Sequence, residues 1–82
     1  MKIAYKGVEI RPSSYLLDES KGWDTGALIR RYTENGLEEL RIADDAIYQN
    51  KAEAEQHAVA YAKQYIDEKY LAGLFERIWP NN

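Results

Sequence analysis

Tyr48-Gln49-Asn50-Lys51-Ala52-Glu53-Ala54 is the stretch whose reading decides the fold. Asparagine is a good helix N-cap, because its side-chain oxygen accepts from a backbone N–H that the first turn leaves without a partner. Glu53 follows three residues on, where a capping-box carboxylate reaches back. Before this junction apolar residues alternate, as they do in strands. After it they recur at helical spacing. The junction therefore splits 82 residues into a sheet half and a helix half, which must bury their apolar sides on each other.

Downstream, nothing breaks a helix from Lys51 to about Lys69. Ala54, Ala58, Tyr61, Ala62, Tyr65 and Ile66 form a stripe at helical spacing, and the alanines let the helix lie close to a sheet. Glu53 and Glu55 near its start and Lys63 and Lys69 towards its end suit the macrodipole. After Ala72-Gly73 the pattern restarts: Leu71, Leu74, Phe75, Ile78 and Trp79 make a second, more apolar stripe before Pro80. A helical extension over about 71–79 is expected. It either folds back over its own domain or leaves an apolar patch for a partner.

Upstream, Asn35-Gly36 is the clearest hairpin signal, since a type I′ turn needs positive φ at both central residues. That turn sets Ile29 opposite Ile42, Arg30 opposite Arg41 and Tyr32 opposite Glu39. Alternation puts Trp23, Thr25, Ala27 and Ile29 on one face with Leu40 and Ile42, and Leu28, Arg30 and Tyr32 on the other. In residues 3–17 the inward parity slips at Gly7 and again at Pro12-Ser13. Two β-bulges in one bent edge strand account for this. The alternative is that Lys6-Gly7 is itself a tight turn between two short strands. The turn at 18–22 pairs Leu17 with Trp23 and, further on, Ile10 with Ile29.

The composition bounds the function. One domain spans residues 1–82. Hydrophobic residues make up 45% of the chain, enough for a core. With no cysteine, there is no disulfide, thiolate nucleophile or cysteine metal site. A net charge of −3 argues against bulk phosphate binding. Without a long apolar run or a signal-peptide pattern, the chain reads as soluble and cytoplasmic, with no membrane partner.

Few residues invite chemistry. Arg30 opposite Arg41 is a local conflict, because like charges across a strand pair repel. With Arg11 and Tyr32 they form a candidate anion or nucleic-acid surface on the open sheet face. The bland reading is a checkerboard in which Glu9 and Glu39 neutralise the arginines. His57 with Glu53 one turn earlier does not complete a metal site, and a boundary histidine is the plainer reading. Asp44-Asp45 suits a turn or a cap, and Trp23 a core anchor rather than a stacking platform. No triad, nucleophile elbow or phosphate-binding glycine pattern is present, so neither catalysis nor a cofactor is expected.

The segments Tyr5-Lys6-Gly7-Val8-Glu9-Ile10-Arg11-Pro12, Gly22-Trp23, Tyr48 to Glu55 and Ala62-Lys63-Gln64-Tyr65-Ile66-Asp67 resemble a family of small uncharacterised proteins of Gram-negative bacteria. Their shared pattern runs Y-K-G-x-x-I-x-P, G-x-W, x-x-E-A, I-D. Tyr48 and Asn50 stand where that family tends to phenylalanine and threonine, and residues 70–82 look like an addition. The resemblance implies no activity and carries over no functional residue. The architecture is also similar to three-stranded-sheet-plus-helix DNA-binding domains such as those of phage integrases, but architecture alone does not imply function.

The expectation is thus an α+β domain. A three-stranded antiparallel meander (about 3–17, 23–33 and 37–43) packs on one long helix (about 51–69), with a C-terminal helical extension (about 71–79). Functionally, the chain reads as a non-catalytic domain acting through a protein partner or as a homodimer. Leu71, Leu74, Phe75, Ile78 and Trp79 form the candidate partner surface. The alternative is a nucleic-acid-binding accessory protein using Arg11, Arg30, Tyr32 and Arg41.

Overall fold

A computed structural model describes residues 2–18 and 21–71, with backbone only for residues 70 and 71. The expected extension over 71–79 lies outside the described residues, as do the side chains of Leu71, Leu74, Phe75, Ile78 and Trp79. The fold is α+β: an antiparallel sheet packed on one helix. The strands are β1 (Ile3–Tyr5), β2 (Val8–Pro12), β3 (Leu16–Leu17), β4 (Gly22–Thr33) and β5 (Gly36–Tyr48), followed by α1 (Lys51–Leu71). Long β4 lies in the centre. Ala27–Arg30 pair with both β2 and β5, so those two strands flank β4 on opposite sides. β3 continues the lane of β2, and β1 lies outside β2.

Residues 3–17 are not one bulged strand. The parity slip at Gly7 is a chain reversal: Lys6 and Gly7 take φ of 51° and 78° and join β1 to β2, with Tyr5 opposite Val8. Positive φ at both central residues is the signature of the tightest hairpin turns. Nor does the register shift at Pro12-Ser13. Glu9 faces Arg30, Ile10 faces Ile29, and beyond the proline Leu16 faces Trp23 and Leu17 faces Gly22, in one unbroken register. Proline cannot donate to the ladder, so regular pairing lapses there. Bonds from the Ser13 N–H to the Gly26 carbonyl (2.8 Å) and from the Asp24 N–H to the Tyr15 carbonyl (3.0 Å) hold the lane in place. Tyr15 therefore stays on the open face, and Leu16, not Leu17, meets Trp23.

The β4–β5 hairpin turns one residue earlier than Asn35-Gly36 suggests. Among the described non-glycine residues only Lys6 has positive φ, so Glu34 and Asn35 keep ordinary values while Gly36 takes +112°. That is a type I turn closed by a glycine bulge. The Thr33 hydroxyl accepts from the Asn35 N–H and donates to the Gly36 carbonyl, both at 3.1 Å. Tyr32 now faces Leu37, Arg30 faces Glu39, and Arg41 faces Leu28. Each partner has moved by two residues. Faces are unchanged by such a shift, and cross-strand pairs are all changed. β5 also outruns its expected end. A bulge leaves Asp45 and Ala46 outside the register, so Asp44-Asp45 lies within the strand rather than in a turn. Buried Thr25 donates its hydroxyl to the Ala46 carbonyl at 2.7 Å.

The helix begins as the junction predicts: the Glu53 N–H donates to Asn50 Oδ1 at 3.2 Å. Ala54, Ala58, Ala62 and Ile66, spaced four apart, are wholly buried. The helix packs chiefly over β4 and also touches β5 and β2. Val8, Ile10, Ala27, Ile29 and Ile42 meet Ala58, Val59, Ala62 and Ile66 in a single core, with Tyr61 and Tyr65 along its margin. Each sealed isoleucine contributes roughly 1.5–3 kcal/mol. At the far end, the Tyr5 hydroxyl donates to both oxygens of Asp67 (2.9 and 2.8 Å) and Lys6 Nζ joins the same carboxylate. These bonds tie the β1–β2 turn to the last turns of the helix.

Candidate functional site on the open face of the sheet

The face of the sheet away from α1 brings together Arg11, Arg30, Tyr32 and Arg41, as alternation predicts. Corrected register changes what they do. Glu9, Arg30 and Glu39 stand in one cross-strand row. Arg30 Nε donates to Glu39, and its Nη1 lies 3.7 Å from Glu9. This hydrogen bond is the main reason the guanidinium is held above its ordinary pKa. Arg11 Nε donates to Glu9 at 3.0 Å, and Lys2 Nζ approaches the same carboxylate at 3.8 Å. The anticipated Arg30–Arg41 conflict does not exist. Opposite charges alternate along the row, the arrangement that stabilises strand pairs.

Arg41 belongs to a second cluster that residue spacing did not reveal. Its Nη2 donates to the Ser13 carbonyl (2.6 Å) and to Asp24 Oδ2 (2.8 Å), while its guanidinium carbon stacks 4.1 Å from the Tyr15 ring centre. Asp24 in turn accepts from the Tyr15 N–H at 2.7 Å. The cluster closes the stretch where Pro12 interrupts pairing. Its one sequence signal is Gly26, a glycine in mid-strand, which marks a close approach.

Beyond these pairs, Tyr32 stands 74% exposed beside its cross-strand neighbour Leu37, itself 44% exposed. Tyr32 walls an open groove of about 390 Å³, with Ala4 and Gly7 among its lining and Lys2, Glu9 and Arg30 charged along it. The remaining candidates are dispersed. His57 is exposed and stacks on Tyr48 (4.3 Å between ring centres, 6° between planes). Among the described residues no group of three or more His, Cys, Asp or Glu is placed to hold a metal ion. Trp23 is half-buried, outside the core cluster, with Lys51 Nζ 5.6 Å from its ring centre. It is not the core anchor expected. Among the described residues no helix is long and apolar enough to cross a membrane.

Compared with the models of known protein families and with curated proteins, the chain finds no match. The reading of function rests on this surface alone.

Proposed function

We propose that this is a small non-catalytic domain that works through protein contacts, self-association included. One observation carries the reading. Arg11, Arg30 and Arg41 each hold a carboxylate, while Tyr32 and Leu37 project from the same face. Phosphate recognition draws its affinity from cations that release their counterions, and cations already neutralised by fixed acids supply little of it. Tyrosine beside arginine, with an exposed leucine, is instead the composition of protein interfaces. The sequence stripe Leu71, Leu74, Phe75, Ile78 and Trp79 adds a second apolar surface to the same proposal.

Light scattering on the full chain, and on a chain ending before Leu71, tests it together with retention on DNA at low salt. The expected result is a mass above that of one chain, lowered by the truncation, with no retention. A single-chain mass throughout, with DNA retention that collapses on Arg30→Glu, overturns it in favour of nucleic-acid binding.

A further inference from the structure

We infer that Asn35 is a site of spontaneous covalent modification: its side-chain amide is lost through a cyclic imide formed with Gly36, which leaves aspartate or isoaspartate at the tip of the β4–β5 hairpin. The inference goes beyond the protein-contact reading and does not depend on it. Imide formation asks three things of an asparagine: a following residue with no side chain in the way, a carboxamide not held elsewhere, and a peptide free to turn. Glycine alone lacks Cβ, and a Cβ built on Gly36 would meet no atom within 4 Å, so the tip stands clear of the rest of the fold. Glu34, Asn35, Gly36 and Leu37 are all exposed. The Asn35 carboxamide has no hydrogen-bond partner among the described residues, while its backbone N–H donates to Thr33 Oγ1 at 3.1 Å. Exposed loop tips open readily, because opening them breaks no buried contact. Asn50 meets none of the three conditions. Its Oδ1 accepts from the Glu53 N–H at 3.2 Å, its carbonyl accepts from the Ala54 N–H at 3.0 Å, and Lys51, with a full side chain, opens α1.

In the first step the Gly36 nitrogen attacks Asn35 Cγ. A C–N bond forms there, the bond from Cγ to the side-chain nitrogen breaks, and ammonia leaves with the proton that Gly36 gives up. Water then opens the imide ring, and nothing is oxidised or reduced. Opening at Cγ restores the original backbone with aspartate at position 35. Opening at the main-chain carbonyl carbon leaves isoaspartate, whose backbone runs through Cβ and Cγ and is one methylene longer. Both products add a negative charge beside Glu34, but only isoaspartate lengthens the turn. Loop length fixes hairpin register, and here the loop sets Thr33 opposite Gly36 while the Thr33 hydroxyl spans it with two bonds. A longer loop breaks that fit. The next pair in the ladder, exposed Tyr32 and Leu37, then loses its fixed spacing.

The test incubates the folded full chain in mildly alkaline buffer and then cuts it with trypsin. Cleavage separates the two asparagines, Asn35 into peptide 32–41 and Asn50 into peptide 42–51. Mass spectrometry reads the exchange of amide for acid in each peptide, and chromatography separates aspartyl from isoaspartyl forms. The same chain unfolded in guanidinium, where neither asparagine is held, gives the reference rate. The expected result in the folded chain is conversion of peptide 32–41 while peptide 42–51 stays intact. Thr33→Ala, which removes both hydroxyl bonds at the tip, should quicken the conversion. The isolated isoaspartyl chain should unfold at a lower temperature than the unaltered chain, and Asn35→Asp should not. A peptide 32–41 that stays intact in the folded chain but converts in guanidinium overturns the site, because the turn then protects it. Equal conversion of Asn50 in the folded chain overturns the selectivity assigned to cap and turn. An isoaspartyl chain as stable as the unaltered one overturns the effect on the hairpin.

Discussion

Arg41 lies over Gly26 so closely that a Cβ on the glycine would stand 2.1 Å from Nη2 and 2.6 Å from the Ser13 carbonyl oxygen. Glycine weakens a strand interior, and here the bare Cα is what lets Arg41 cross the central strand. From there it holds Ser13 and Asp24 while Tyr15 stacks on it. One residue's missing side chain thus closes the open face where Pro12 interrupts the ladder.

Gly26→Ala is expected to destabilise the fold by roughly 1–3 kcal/mol, the range for overpacking. That outweighs the gain of about 0.4–1 kcal/mol that alanine brings through the unfolded chain. Added to Arg41→Ala, its cost shrinks, because one obstacle has gone. Urea unfolding of the four-member cycle measures this coupling. Strict additivity would show that Arg41 is not what the new methyl meets.

Thr25→Val keeps the shape of a buried side chain but leaves the Ala46 carbonyl without its donor. The expected loss is about 1–3 kcal/mol. Amide exchange should quicken around Asp45 and Ala46, since the hydroxyl is what secures the bulge. Thr25→Ser keeps the bond and should leave exchange at the bulge slow. Equal exchange in the two variants would refute this role.

The Tyr5–Asp67–Lys6 cluster predicts a pH profile. Lys6 first, and then the Tyr5 hydroxyl, hold Asp67 below the usual carboxylate range. A depressed acid stabilises above its ordinary value, and the contribution is lost as pH falls through the folded value. The hydrogen bond to Asp67 is the main cause that pushes Tyr5 upward. Its contribution is complete below the ordinary tyrosine value of about 10 and is lost as pH rises through the folded one. Asp67→Asn should therefore flatten both limbs of stability against pH. Unfolding midpoints followed across the range in both chains test this, and unchanged limbs would count against it.

Asn50→Ala removes the acceptor of the Glu53 N–H and should cost roughly 1 kcal/mol. Asn50→Asp, which can cap as well, should cost far less. Circular dichroism during thermal unfolding separates them. Equal losses would mean that the cap contributes nothing beyond its backbone conformation.

How much was legible in the sequence depends on what burial can sense. The inward set Ile10, Ile29 and Ile42 and the start of the helix at Lys51 were readable, because each follows from a period or a cap. Glu9 beside Arg30 was readable too; that Glu39, and not Arg41, stands directly opposite Arg30 was not. Moving the hairpin register by two residues leaves every side chain on its face, so an apolar pattern looks the same in either register. Glu34-Asn35-Gly36 admits both turns, and φ at Asn35 distinguishes them. The slip at Gly7 was visible, but bulge and reversal share one parity signature until β1 is seen beside β2. At Pro12-Ser13 there is no slip at all, since the register of Val8–Pro12 continues through Leu16–Leu17. Tyr15 faces away from the core because Arg41 offers it a surface there.

By itself the sequence determined an antiparallel sheet packed on the long helix that starts at Lys51, the face of most strand residues and the helix N-terminus. These depend on local periodicity and on one capping side chain. Only the tertiary structure decided which residues stand opposite each other across β4 and β5, and so which acid each arginine of the open face holds. Partnership across a sheet depends on turn type and bulge position, and these rest on contacts between segments far apart in the chain, such as Thr25 with Ala46 and Arg41 with Ser13.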